Sequence, residues 1–171
     1  MSEFLADPLS RMDIRRMTTE IRRSFDLQNQ LYFPVLHALE IFPIIDETFF
    51  YEVVEDDQLP HDTHAEYSVE NNCIRIKNSV YIGAYNGFGR DRMTVAHEIG
   101  HYILIRQHGI KLSRSFGNTI ETCRDPEWQA KCFGGELLIP ACLVKGMAPY
   151  QVAVKCGVSL DAAAYQLTKI K

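Results

Sequence analysis

Apolar residues return at helical spacing near the start of the chain. Met12, Ile14, Met17, Ile21 and Phe25 fall close to one stripe within a charged stretch, which predicts an amphipathic helix over residues 12–25. After Pro34 the pattern repeats with fewer charges, predicting a second, more buried helix over 32–41. Aromatic and β-branched residues dominate 49–54, and the runs 65–69 and 73–76 alternate in polarity around Glu70-Asn71-Asn72. These are strand signals, the last two forming a hairpin, and they predict a small sheet of about three strands, mainly antiparallel. The acidic connection 55–62, with Pro60, is expected to be exposed. A short helix or turn is expected over 80–85, then a loop through Asn86-Gly87-Phe88-Gly89 into an amphipathic helix that includes 92–104. Residues 107–123 have no period and are broken by Gly109 and Gly117, which predicts a mobile loop. Asp125-Pro126-Glu127 reads as a helix start, with Asp at the N-cap and Pro in the first turn, and Pro140 stops that helix after Leu138. Two short helices, 149–156 and 160–170, end the chain around Gly157-Val158-Ser159. The predicted fold class is α+β, with helices packed around the small sheet.

Composition narrows this picture. A chain of 171 residues with 46% apolar content buries one core, so a single domain over 1–171 is expected, with 1–45 as an N-terminal helical segment and 148–171 as a C-terminal helical pair. No basic start followed by an apolar run and no stretch of roughly 18 apolar residues is present, so a cytoplasmic protein without membrane contact is expected. Five cysteines, odd in number and without a Cys-x-x-Cys pair, argue against a disulfide framework or a structural zinc knuckle, and read as small buried apolar residues. The formal charge of -4 gives no general attraction to nucleic acid. Arg15, Arg16, Arg22 and Arg23 form a local basic face, read as solvated.

The candidate chemistry lies in His97-Glu98-Ile99-Gly100-His101. Four residues apart on a helix, the two imidazoles fall about 40° apart on one face, so both can reach one tetrahedral metal. Glu98 lies between them in angle and can take the proton of an attacking water. Gly100 costs a helix about 1 kcal/mol relative to alanine, so its presence asks for a reason such as the close approach of another backbone.

A catalytic zinc needs a third protein ligand. Glu127 ranks first, because a helix start can hold it rigidly and Ala130 and Gly134 are small enough to let that helix pack closely on the metal helix. The plainer reading of Glu127 is a carboxylate favouring the helix N-terminus. Glu136 lies nine residues on, about 180° round the helix. His108 is about 10 Å along the axis from His101, too far to share an ion. Glu121, Asp125, His61 and His64 stay open as alternatives.

The segment Arg92-Met93-Thr94-Val95-Ala96-His97-Glu98-Ile99-Gly100-His101-Tyr102-Ile103-Leu104, with Glu127-Trp128-Gln129-Ala130-Lys131-Cys132-Phe133-Gly134-Gly135-Glu136-Leu137-Leu138-Ile139-Pro140, resembles the ImmA/IrrE family of metallopeptidases. That family pairs an Ala-His-Glu-x-Gly-His helix with a helix reading Glu-x-x-Ala-x-x-Phe and ending in Leu-Leu-x-Pro. Weaker similarity extends to Cys156-Gly157-Val158-Ser159 and to 14–34. The resemblance implies a minimal zincin-like metallopeptidase fold, Glu127 as third zinc ligand beside His97 and His101, and Glu98 as the catalytic residue. Lys131 stands where the family commonly has Asn or Asp, and Ile105 where a further His often follows.

The expected activity is that of a zinc-dependent endopeptidase. Kinship adds phage and mobile-element proteases that cut helix-turn-helix repressors, so the expected partner is a DNA-binding repressor as substrate, with no direct nucleic-acid binding. Tyr102, Tyr81, Tyr85 and His108 are candidates for a second oxyanion donor, none of them preferred. The alternative is a non-catalytic regulatory or DNA-binding protein with a vestigial metal site, since 152–170 has a helix-turn-helix look, but its second helix brings no Arg.

Overall fold

The computed structural model describes residues 4–107, 113–114 and 121–170. Most of the predicted mobile loop, with His108, Gly109 and Gly117, lies outside the described residues. The elements run β1 (Phe4–Leu5), α1 (Arg11–Ser24), α2 (Val35–Ile45), β2 (Phe50–Val54), β3 (Ala65–Ser68), β4 (Cys73–Lys77), α3 (Asn78–Tyr85), α4 (Gly89–Tyr102), β5 (Ser113–Arg114), α5 (Pro126–Leu138), α6 (Ala141–Val144), α7 (Pro149–Cys156) and α8 (Leu160–Leu167). The architecture is α+β, mostly helical around a three-stranded sheet.

Local chemistry accounts for the helix starts. Ser10 and Asp13 form a reciprocal cap on α1, the Asp13 amide donating to Ser10 Oγ at 3.2 Å and the Ser10 amide to Asp13 Oδ2 at 3.0 Å. Helix α2 runs through Pro43, past its predicted end, and leaves Ile44 and Ile45 exposed. The ring costs one backbone hydrogen bond, and buried Ala38, Leu39 and Phe42 hold the helix to the core.

The sheet is mixed rather than mainly antiparallel. Strand β4 is central, with β3 antiparallel to it (Ala65↔Ile76 to Ser68↔Cys73) and β2 parallel to it (Phe50↔Cys73 to Val54↔Lys77). The β3–β4 hairpin turns where its polar residues indicated, with Asn72 left-handed at φ 50. Its side-chain amide donates to Thr48 Oγ1 at 2.8 Å and Asp46 Oδ2 at 3.1 Å, tying the turn to the chain that enters β2. The connection from β2 is long enough to cross the sheet end, so β2 joins the far side of β4, a pairing that alternation within one strand does not encode.

Helix α4 lies between sheet and helices, with Val95, Ala96 and Ile99 fully buried and Tyr102 almost so. Tyr102 stacks on Phe49 with ring centroids 4.2 Å apart. Cys73, Cys132 and Cys156 are buried as expected, and burial lifts each thiol to about 11. Cys142 is exposed and Cys123 partly so, which departs from the uniform burial expected.

The basic face on α1 is not uniformly solvated. Arg22 is buried and donates to Leu137 O at 2.6 Å, to Leu31 O at 3.3 Å and to Gln30 O. Arg15 meets Glu136 Oε2 at 2.8 Å, and Arg11 meets Glu136 Oε1 at 3.0 Å, fixing α1 to α5 through a fully buried carboxylate. Arg92, 1% exposed, is the counterpart on α4. It donates to Phe33 O at 2.9 Å, Gly157 O at 2.8 Å and Cys156 O at 3.3 Å, and stacks 3.9 Å over Tyr32. Two of those carbonyls end α7, where Gly157 takes a left-handed φ of 64. No helix among the described residues is long and apolar enough to cross a membrane.

Replacing Arg92 by Met keeps bulk but removes the donors for three carbonyls, and the expected loss is about 2–4 kcal/mol in urea unfolding. Arg92→Lys is expected to recover less than half, because an ammonium lacks the planar fork. A wild-type urea midpoint for Arg92→Met excludes this role.

Candidate metal centre

Two helices that touch backbone to backbone build the site. A Cβ on Gly100 would stand 3.1 Å from Ala130 O, 3.2 Å from Ala130 Cα and 3.2 Å from Phe133 Cβ. Across the contact, a Cβ on Gly134 would meet Met93 Sδ at 3.3 Å and His97 N at 3.4 Å. Each glycine therefore admits the other helix, which supplies the reason Gly100 required. Helix α5 is also fixed at its start. Asp125 Oδ1 accepts from the Glu127 amide at 3.0 Å, and the buried Gln129 carboxamide donates to Asp7 O and Cys123 O, both at 2.7 Å.

Glu127 is thereby set above the two imidazoles. His97 Nε2 and His101 Nε2 lie 3.1 Å apart, with Glu127 Oε2 3.3 Å from the first and Glu127 Oε1 3.2 Å from the second. The rings stand nearly perpendicular, at 89°. Donors bonded at 2.0–2.1 Å to a tetrahedral ion are separated by about 3.3 Å, so these three fit one zinc-sized cation. Among the described residues they are the one group of three His, Cys, Asp or Glu side chains placed to hold a metal. The alternative ligands go elsewhere: Asp125 caps α5, Glu121 pairs with Arg124 at 3.6 Å, and His64 lies 2.8 Å from Arg90. Glu136 faces Arg11 and Arg15 on the opposite side of α5, as its angular position required.

The two carboxylates of the site have opposite environments. The imidazoles of His101 and His97 hold half-exposed Glu127 well below the usual carboxylate range. Glu98 is 6% exposed, with Oε1 3.9 Å from His97 Nε2. Burial, against the opposing pull of His97 and with help from the charge of Glu127, raises its pKa to about 7. The Tyr67 backbone amide on β3 pulls it slightly the other way.

A cleft of about 680 Å³ opens over these groups, between β3 with the chain leading into it and the α4–α5 pair. Sequence reasoning missed the Tyr67 amide, because a backbone donor leaves no residue signature, and Thr94 on the cleft wall. Lys131, noted for departing from the family pattern, also lines the cleft. The oxyanion candidates do not gather here. Tyr102 lies in the core within 3.4 Å of Asp46, Tyr81 packs beside Tyr51, Tyr85 is exposed, and His108 lies outside the described residues.

A family model described as the IrrE N-terminal-like domain, Peptidase M78, matches residues 47–168. The chain belongs to this family, the ImmA/IrrE metallopeptidases. Membership supports a metallopeptidase-type hydrolase and implies a metal. A solved Mycobacterium tuberculosis transcriptional regulator is similar in fold, with a TM-score of 0.57 at 12% identity over 91% of this chain. The match covers 46% of the regulator, so this chain spans about half its length. No curated protein matches the chain.

Gly100→Ala separates two effects. The added methyl gains about 1 kcal/mol of helix propensity and loses a similar amount to crowding, so unfolding free energy is expected to move by less than about 1 kcal/mol. Pushing Ala130 away displaces Glu127, and zinc affinity is expected to fall about 10- to 100-fold in a chelator competition titration. Unchanged affinity would show that the glycine contact does not set the carboxylate.

Proposed function

We propose that the chain is a zinc-dependent endopeptidase in which His97, His101 and Glu127 hold the ion and Glu98 is the catalytic acid–base. The observation that carries this reading is the convergence of the three donor side chains at 3.1–3.3 Å on the floor of an open cleft. When bound, zinc supplies a Lewis acid that brings the acidity of water towards neutral pH and polarises a carbonyl.

The chain's own groups do the rest. Glu98 takes the proton of the attacking water and delivers it to the leaving nitrogen, from a position beside His97 that is nearly closed to solvent. Among the described residues, strand β3 pairs on one side only, with β4, and borders the cleft, so an extended peptide has an edge to lie along. Kinship within the family supports a helix-turn-helix transcriptional repressor, of the kind carried by phages and mobile elements, as the cytoplasmic substrate.

Glu98→Gln is expected to keep zinc at one ion per chain by elemental analysis while cleavage falls by at least about 10²-fold. Full activity in that variant would falsify the proton-transfer role. Glu127→Ala is expected to lose stoichiometric zinc and, with it, cleavage of a repressor encoded beside this protein. A chelator should abolish wild-type cleavage and added zinc restore it. Cleavage that survives metal removal sinks the reading.

A further inference from the structure

A second cavity of about 280 Å³ adjoins the cleft and shares His97 and Lys131 with it. Its walls are hydrocarbon, sulfur and aromatic ring, from Met93 on α4, Trp128, Cys132 and Ile139 along and just after α5, and Ala162 and Tyr165 on α8. Of the polar groups that line it, Arg11 and the Gln166 carbonyl oxygen are engaged with each other, while Gln166 Nε2 is buried without a hydrogen-bond partner among the described residues. Arg11 donates to Glu136 Oε1 at 3.0 Å and to Gln166 Oε1 at 3.3 Å, and its guanidinium lies 6.0 Å from the centre of the Trp128 ring. Gln166 itself is only 2% exposed.

The size and lining decide what fits. Small-ligand sites run from roughly 300 to 1,000 Å³, so this space suits one side chain better than a cofactor. A peptide backbone in it would lose the hydration of several polar groups against walls whose described residues offer one buried free donor, Gln166 Nε2. A basic side chain would meet Arg11 and Lys131 at the rim, and a carboxylate would be desolvated deeper in. Alanine would leave most of the space empty. Because the cavity opens beside His97, its occupant belongs to whatever lies in the cleft.

We propose that this cavity is a specificity pocket that takes a large apolar side chain of the leucine class from a peptide lying across His97. The proposal rests on the peptidase reading of the cleft and adds to it the class of residue recognised near the scissile bond.

Trp128 is the chain's single tryptophan, so its emission reports occupancy without any turnover. A blocked alanine pentapeptide and its counterparts with a central leucine or glutamate are titrated into the protein while Trp128 fluorescence is read. In parallel, cleavage of a peptide pool randomised on both sides of the scissile bond is sequenced. The leucine peptide is expected to shift the emission and bind at least about tenfold more tightly than the other two, with the same preference in kcat/KM at one position of the pool. Ala162→Phe fills the pocket and is expected to bring the leucine-to-alanine ratio to within about twofold. Tyr165→Ala opens a wall at a half-exposed residue and is expected to move the preference towards phenylalanine, which keeps a test in hand if Ala162→Phe fails to fold. Cleavage whose preference ignores both variants overturns the pocket and leaves the peptidase reading standing. A leucine preference in Trp128 emission that Ala162→Phe removes, with no peptide cleaved, supports the pocket and removes the peptidase reading.

Discussion

The contact between the backbones of α4 and α5 is the constraint on which the site depends. Zinc-sized coordination tolerates errors of a few tenths of an ångström, and the two candidate histidines share a helix with each other but not with Glu127. The separation of the helices must therefore be set independently of the donors. Gly100 and Gly134 set it from both sides, since each faces main-chain atoms that cannot rotate away as a side-chain tip could. A helix pair held apart by larger residues, at the upper end of the usual 8–10 Å, would place a first-turn glutamate beyond reach of both imidazoles.

That contact is clamped from outside by charge rather than by grease alone. Arg22 and Arg92 are both buried, and the oxygens they meet are main-chain carbonyls, among them those of Leu137 near the end of α5 and of Cys156 and Gly157 at the end of α7. Helix C-termini carry unsatisfied carbonyls and partial negative charge, so a guanidinium there is solvated by the protein itself. Glu136 works in the opposite sense, gathering Arg11 and Arg15 so that α1 lies along α5. These side chains link α1 and α7 to the two helices that form the site. Placing and desolvating such groups costs free energy that apolar packing would not, and what they add is direction: each accepts a partner only at a defined angle.

Much of this was legible in the sequence, for reasons that differ by element. Helices α5 and α7 were read closely because capping and stopping residues, Asp125, Pro126, Pro140 and Gly157, act over a few positions. The hairpin of β3 and β4 was legible for the same reason, since Asn71 and Asn72 lie in the turn itself. The partner of β2 was not, because parallel pairing is settled between segments some twenty residues apart and leaves no trace in either one alone. Gly100 announced close packing by being costly in a helix, and Gly134 by being small. The fate of Arg22 stayed hidden, because an arginine on a helical stripe looks solvated until the carbonyls it meets are placed by the rest of the fold. The Tyr67 amide was invisible altogether, being common to every residue type but proline.

The pair Glu98 and Glu127 shows how one small site makes two like side chains unlike. Both lie near His97 Nε2, at 3.9 and 3.3 Å, so the identity of the neighbour does not separate them. Exposure and the number of close imidazoles do. Glu127 sits at a helix N-terminus, half in solvent, with an imidazole against each oxygen, and every one of these favours the charged form. Glu98 lies mid-helix, nearly shut off from water, and its desolvation outweighs His97 and the Tyr67 amide together. A carboxylate that stays ionised suits a fixed donor, and one whose charged form is disfavoured by burial suits a group that must both take and release a proton. The division follows from placing one glutamate in the interior of α4 and the other at the start of α5, so the geometry that brings the three candidate donors together also makes the two carboxyls chemically distinct.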